Sequence, residues 1–179
     1  MKRLPERLLY ILLCFLFAAL YHPVTAQNKR RLEVEGHHDN VQLVPLSENG
    51  LVLFSEVSKG KYNFVKYDPN LEQLWSVSCD ANSNLDPVQY TYEGQSVYLL
   101  LARQKSADYQ VIKLNTTLGF IEKFDIYSLN RFDITEFKAH LNDVYVAGKV
   151  KNDPVLLHIN LITNQSRLLP IHFKGTADI

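Results

Sequence analysis

The sequence predicts an all-β chain made of a four-strand unit that recurs about three times, and three observations carry that reading. First, residues 41–80 divide into four short runs, 41–46, 51–57, 62–67 and 71–79, rich in aliphatic, aromatic and β-branched side chains. Ser47, Glu48, Asn49 and Gly50 separate the first two, Ser58, Lys59 and Gly60 the next two, and Asp68, Pro69 and Asn70 the last two. Short runs bounded by such residues are a hairpin signature that leaves no room for helices. Second, 51–54, 98–101 and 155–157 are apolar at consecutive positions rather than alternate ones. That pattern is expected when a sheet is covered on both faces. Third, the unit repeats at a nearly constant step.

The second copy runs from 88 to 127 and the third from 132 to 173, with 174–179 read as the start of a further one. First strands place Val41, Val88, Ile134 and Ile179 at steps of 47, 46 and 45. Second strands place Leu53, Tyr98 and Tyr145 at steps of 45 and 47, and the turn residues Asp68, Asn115 and Asn160 step by 47 and 45. A β-sandwich could use similar strands but does not explain the step.

Residues ahead of the first unit carry different signals. Lys2, Arg3 and Arg7 precede thirteen apolar residues, 8–20, and Val24, Thr25 and Ala26 offer a small-residue cleavage point. This order of basic, apolar and small regions is that of a secretory signal peptide over 1–26. A spanning helix needs roughly 20 apolar residues, and His22 and Pro23 interrupt this run. No stable membrane span is therefore expected after cleavage, and the protein is expected outside the cytoplasm: secreted, periplasmic or on the cell surface. Cys14 lies within the apolar run rather than after small residues, which argues against a lipid anchor. Residues 27–40 form a polar lead-in, where neighbouring His37 and His38 point to opposite sides of an extended chain and do not by themselves make a metal site.

Charge excludes one class of partner. Removing Lys2, Arg3, Arg7 and Glu6 from 19 basic and 19 acidic residues leaves 16 and 18, too balanced for a nucleic-acid footprint. Cys79 is then the one remaining thiol, so no internal disulfide is expected and stability must come from burial. Its apolar neighbours Trp75 and Val77 predict an inert, slowly reacting group.

Four strands in 40 to 50 residues, repeated in tandem, resemble the blades of a β-propeller. The likeness covers 41–173 and is closest to quinoprotein-like and kelch-like secreted propellers, on the pattern Tyr67, Asp68, Leu71, Trp75. It is one of architecture: Glu122 and Arg167 or Leu168 replace Trp75 in later copies, and the Trp-Asp dipeptide of the WD repeat is absent. The resemblance implies a partial propeller of about three four-stranded antiparallel blades. Closed propellers have about 4 to 8 blades, so the chain is expected to be the N-terminal portion of a longer propeller or a half that pairs with another chain. Flat sheet faces left open at the ends of the stack are expected to drive association and dye binding.

Candidate chemistry is sparse. Asp68, Asn115 and Asn160 fit turns that bond their own backbone better than calcium ligands. His140, His158 and His172 have no metal spacing, and a mid-strand His158 suits a packed, hydrogen-bonded imidazole. No phosphate loop or serine elbow occurs. Asn115 with Thr117 and Asn164 with Ser166 match the glycosylation pattern on turns. Catalytic residues, metal ligands and cofactors are predicted to be none. If the innermost strands line a channel, Tyr90 and Tyr92 are the ligand-facing candidates, and Gln89, Asp133, Thr135 and Glu136 are the polar groups beside them.

Two functions follow. In the favoured one the chain is a noncatalytic binding or assembly surface of a larger extracytoplasmic receptor or scaffold, its partner a protein or further blades. In the alternative it is part of a propeller enzyme whose active site other blades complete.

Overall fold

A computed structural model describes residues 41–103, 107–127, 131 and 133–171. The expected signal peptide and lead-in, Phe132, His172 and the segment 174–179 with Ile179 lie outside the described residues. Twelve strands form three four-stranded antiparallel sheets, each a simple meander in which sequence neighbours pair. The first holds β1 (Val41–Pro45), β2 (Leu51–Ser58), β3 (Lys61–Tyr67) and β4 (Gln73–Asp80). Next come β5 (Asp86–Glu93), β6 (Ser96–Ala102), β7 (Asp108–Asn115) and β8 (Ile121–Tyr127). β9 (Asp133–His140), β10 (Asp143–Val150), β11 (Asp153–Asn160) and β12 (Gln165–Pro170) complete the third. The all-β architecture of blade-like sheets is therefore present, and the one helical element described is a 3-10 turn at Ser47–Asn49.

The second sheet lies between the other two, and the strand period of two divides its side chains between two cores. From β6, Val97, Leu99 and Leu101 enter one core with Val52, Phe54, Tyr62 and Phe64 of the first sheet. Tyr98, Leu100 and Ala102 enter the other with Val144, Val146, Leu157 and Ile159 of the third. All seven residues of β6 are buried as a result. In β11 only alternate residues are: Val155 and Leu157 are covered, whereas Leu156, which the apolar run 155–157 also placed inside, is half-buried on the open face.

Strand pairing corrects the repeat register at two places. Tyr98 pairs with Lys113 and Tyr145 with His158, and the pair at the same distance from the following turn in the first sheet is Val52 with Lys66. Val52 is the equivalent of Tyr98 and Tyr145, not Leu53. The difference matters because one residue of slip moves a side chain to the other face, and Val52 faces the second sheet as Tyr98 faces the third. In the first strands, Val41, Pro87 and Ile134 are equivalent, opposite Ser55, Leu101 and Gly148. Val88 is an extra residue at a register shift, and Thr135 occupies the same position in β9.

The turn residues behave as the repeat predicts. Asp68 Oδ1 accepts from the Glu72 amide at 2.7 Å, Asn115 Oδ1 from Thr117 and Leu118, and Asn160 Oδ1 from Ile162 and Thr163. Each side chain substitutes for a backbone acceptor and fixes the turn after the third strand of its sheet.

Cys79 is half-buried, and burial pushes its thiol up to about 11; nearby Lys123 opposes that shift and Asp80 adds to it. The thiolate is the reactive form, and a free cysteine titrates near 8.5. Native protein at neutral pH should consequently react with a maleimide roughly two orders of magnitude more slowly than the urea-unfolded chain. Equal rates in the two states would show that Cys79 is open.

Candidate functional site

The inner edge strand of each sheet, β1, β5 and β9, contributes to a cleft of about 310 Å³. Its apolar wall is Phe54, Pro87, Val88 and Leu99; Gln42, Gln89, Tyr90 and Glu136 are the polar lining. The two register shifts build it. Bulges twist an edge and redirect side chains, and they cluster at rims and sites. Here Val88 is pushed outward to 44% exposure, and the next residue, Gln89, reaches across to donate from Nε2 to the carbonyl of Thr135, the shifted residue of β9, at 3.1 Å. On the other side the Tyr90 hydroxyl donates to the Leu43 carbonyl of β1 at 3.1 Å, and its ring meets Phe54 edge-on with centroids 6.0 Å apart. The side chains of β5 thus tie the three inner strands together.

Of the two tyrosines picked from sequence, Tyr90 lines the cleft and Tyr92 does not. They share one face of β5, but Tyr92 is two residues further on and packs against the core between the first and second sheets. Gln89 and Glu136 line the cleft too, while Thr135 contributes its carbonyl and donates its hydroxyl to Ala147 at 3.2 Å. Asp133 is exposed outside that lining. Gln42 and Phe54 carried no sequence signal, since they reach the site only through the folding of the first sheet.

Glu136 is the one carboxylate in the lining and sits 3.0 Å from Lys138, both exposed. Among the described residues no serine, cysteine, histidine or second acid accompanies it there. Among the described residues no group of three or more His, Cys, Asp or Glu side chains could hold a metal ion, and no helix is long and apolar enough to cross a membrane. The arrangement can accept and donate hydrogen bonds over an apolar floor, with one negative charge at the rim.

A second hollow, about 220 Å³, lies at the turns joining β5 to β6 and β9 to β10. Tyr98 donates to the Leu141 carbonyl there, Lys113 Nζ donates to Asn142 Oδ1 at 2.9 Å, and His140 Nδ1 lies 3.1 Å from Glu93. These contacts join the second sheet to the third. His158, expected to be packed and bonded, has Nε2 2.8 Å from Asp143 Oδ1 and its ring stacked on Tyr145. The bonds from His158 and then Asn160 hold the Asp143 carboxyl below the usual carboxylate range.

No protein-family profile and no curated protein matches the chain. Among solved structures it is similar to the cobalt-substituted apocarotenoid oxygenase of Synechocystis, at 9% identity and a TM-score of 0.49, over 73% of this chain and 38% of that one. A point mutant of the same oxygenase gives 10% identity, a TM-score of 0.47 and the same coverage. The chain therefore spans 38% of the length of these proteins.

Proposed function

We propose that the chain is an exported, noncatalytic propeller segment whose inner-strand cleft and sheet faces serve binding and assembly within a larger extracytoplasmic receptor or scaffold. One observation carries this reading: two of the four polar side chains lining the cleft, Gln89 and Tyr90, are engaged with neighbouring strands. Gln89 and Tyr90 bond carbonyls of β9 and β1, and Glu136 is paired with Lys138. General acid-base or nucleophilic chemistry needs a second titratable group or an activated nucleophile within hydrogen-bond reach, and the lining supplies neither. Export follows from the order of basic, apolar and small residues in 1–26.

The experiment has two readouts on the natively expressed protein. Fractionation with N-terminal sequencing is expected to place it outside the cytoplasm, beginning at Gln27; a chain that keeps Met1 in the cytoplasm or a membrane would overturn the export. A photo-crosslinking amino acid at Val88 is expected to give a discrete adduct on the exported protein, and one at Thr117, an exposed turn position, none. The same faint smear from both positions would remove the cleft from consideration as a binding surface.

A further inference from the structure

The hydrogen-bonding capacity left in the inner-strand cleft is lopsided. Gln89 Nε2 donates one hydrogen to the Thr135 carbonyl, and the Tyr90 hydroxyl gives its only hydrogen to the Leu43 carbonyl. Each bond uses a donor and leaves an acceptor behind, the Gln89 Oε1 and the Tyr90 oxygen. Glu136 adds an acceptor-only carboxylate, the one charged group among the described lining residues. Against these, the side-chain donors that remain are the amide of Gln42 and the second N–H of Gln89.

A ligand matched to this lining gives hydrogen bonds more than it takes them and carries no negative charge. A primary ammonium meets both conditions, with three donors, no acceptor and the charge opposite to that of Glu136. Lys138 Nζ already lies 3.0 Å from Glu136 Oε1, but the two side chains are 69% and 57% exposed. Ion pairs so open to water contribute little, and a ligand ammonium held over the cleft can take the place of Lys138.

The floor sets the rest of the molecule. Phe54 and Leu99 are buried there, and Pro87 and Val88 extend the apolar wall. That surface offers no polar partner to a sugar, whose hydroxyls need donors and acceptors on every side. Tyr90 is 38% exposed and edge-on to Phe54, and an open aromatic face attracts a cation. At about 310 Å³ the cleft sits at the lower end of the roughly 300–1,000 Å³ of small-molecule pockets.

We propose that the inner-strand cleft binds a small amine, its apolar body on Phe54 and Leu99 and its primary ammonium at Glu136. The inference rests on the binding reading above and gives that site a ligand class.

Ligand-observed NMR titration of the purified protein tests it with probes that differ in one feature. Phenethylamine is expected to bind with a millimolar Kd. Phenethyl alcohol, which keeps the body without the charge, phenylacetate, which reverses the charge, and ethanolamine, which lacks the body, should each bind roughly tenfold more weakly or not at all. Nα-acetyl-lysine methylamide, which presents an ammonium as a partner protein would, should also bind more weakly. Glu136→Gln should bring phenethylamine down to the level of the alcohol and leave the alcohol unchanged. Lys138→Ala, which removes the competing ammonium, should tighten the amine, and Asp133→Asn, an exposed acid of the same strand outside the lining, should change neither probe. Unchanged melting curves would show that the variants fold. The proposal is overturned if the amine and the alcohol bind alike, if Glu136→Gln leaves the amine's affinity intact, if Lys138→Ala weakens it, if the lysine derivative binds as tightly as phenethylamine, or if no amine binds at millimolar concentration. A crosslinked adduct at Val88 can form in every one of those cases, so the binding reading of the cleft is judged separately.

Discussion

Gly50→Ala should be the most damaging single-methyl change in the first sheet, lowering stability by about 3–5 kcal/mol in urea unfolding. Gly50 closes the turn between β1 and β2 with φ 85° and ψ −134°, a region that L-residues rarely enter. Space is lacking as well. A Cβ there would stand 2.1 Å from the Tyr67 carbonyl oxygen and 2.7 Å from the Asp68 carbonyl carbon, both backbone atoms that cannot swing aside. Relieving that overlap requires β2 to part from the end of β3, where Leu51 pairs with Tyr67. The control is Gly94→Ala. Gly94 also has positive φ, 60°, but nothing lies within 4 Å of its added Cβ. Only the left-handed backbone cost of about 1–2 kcal/mol applies there. Comparable losses at the two positions would mean that backbone conformation alone, without the contact to Tyr67, sets the requirement for glycine.

The strands and turns were legible because their signals are local. Asp68, Asn115 and Asn160 sit at turns their own side chains close, and the unbroken apolar run of β6 reports cover on both faces. Phase was harder to read. Since 51–54 is apolar throughout, nothing in residue type distinguishes Val52 from Leu53, and only pairing with Lys66 decides which faces the second sheet. The extra residues Val88 and Thr135 have no compositional mark either, because a bulge is a property of two strands together. The cleft depends on those shifts and on Gln42, Phe54 and Glu136 arriving from separate strands. Tyr90 could be chosen for its place on an inner strand, but separating it from Tyr92 needed the position of Phe54 and the Leu43 carbonyl.

Leu100→Ala should destabilise the protein by about 2–5 kcal/mol, the cost of lost burial plus the cavity left behind. Leu100 is fully buried at the centre of the core between the second and third sheets, with neighbours drawn from β7, β10 and β11. Collapse around the gap is limited because those neighbours belong to two sheets held in register by their own hydrogen bonds. Leu99→Ala should cost a similar amount through the other core, where Leu99 packs with Phe54 and Phe64. Leu156→Ala makes the same chemical change on the open face of the third sheet, and in the monomer should cost less than about 1 kcal/mol. Denaturant midpoints of the three variants, compared at a concentration where the wild type is monomeric, therefore map which faces are covered. If Leu156→Ala instead proved as costly as Leu100→Ala, the outer face of the third sheet would already be covered.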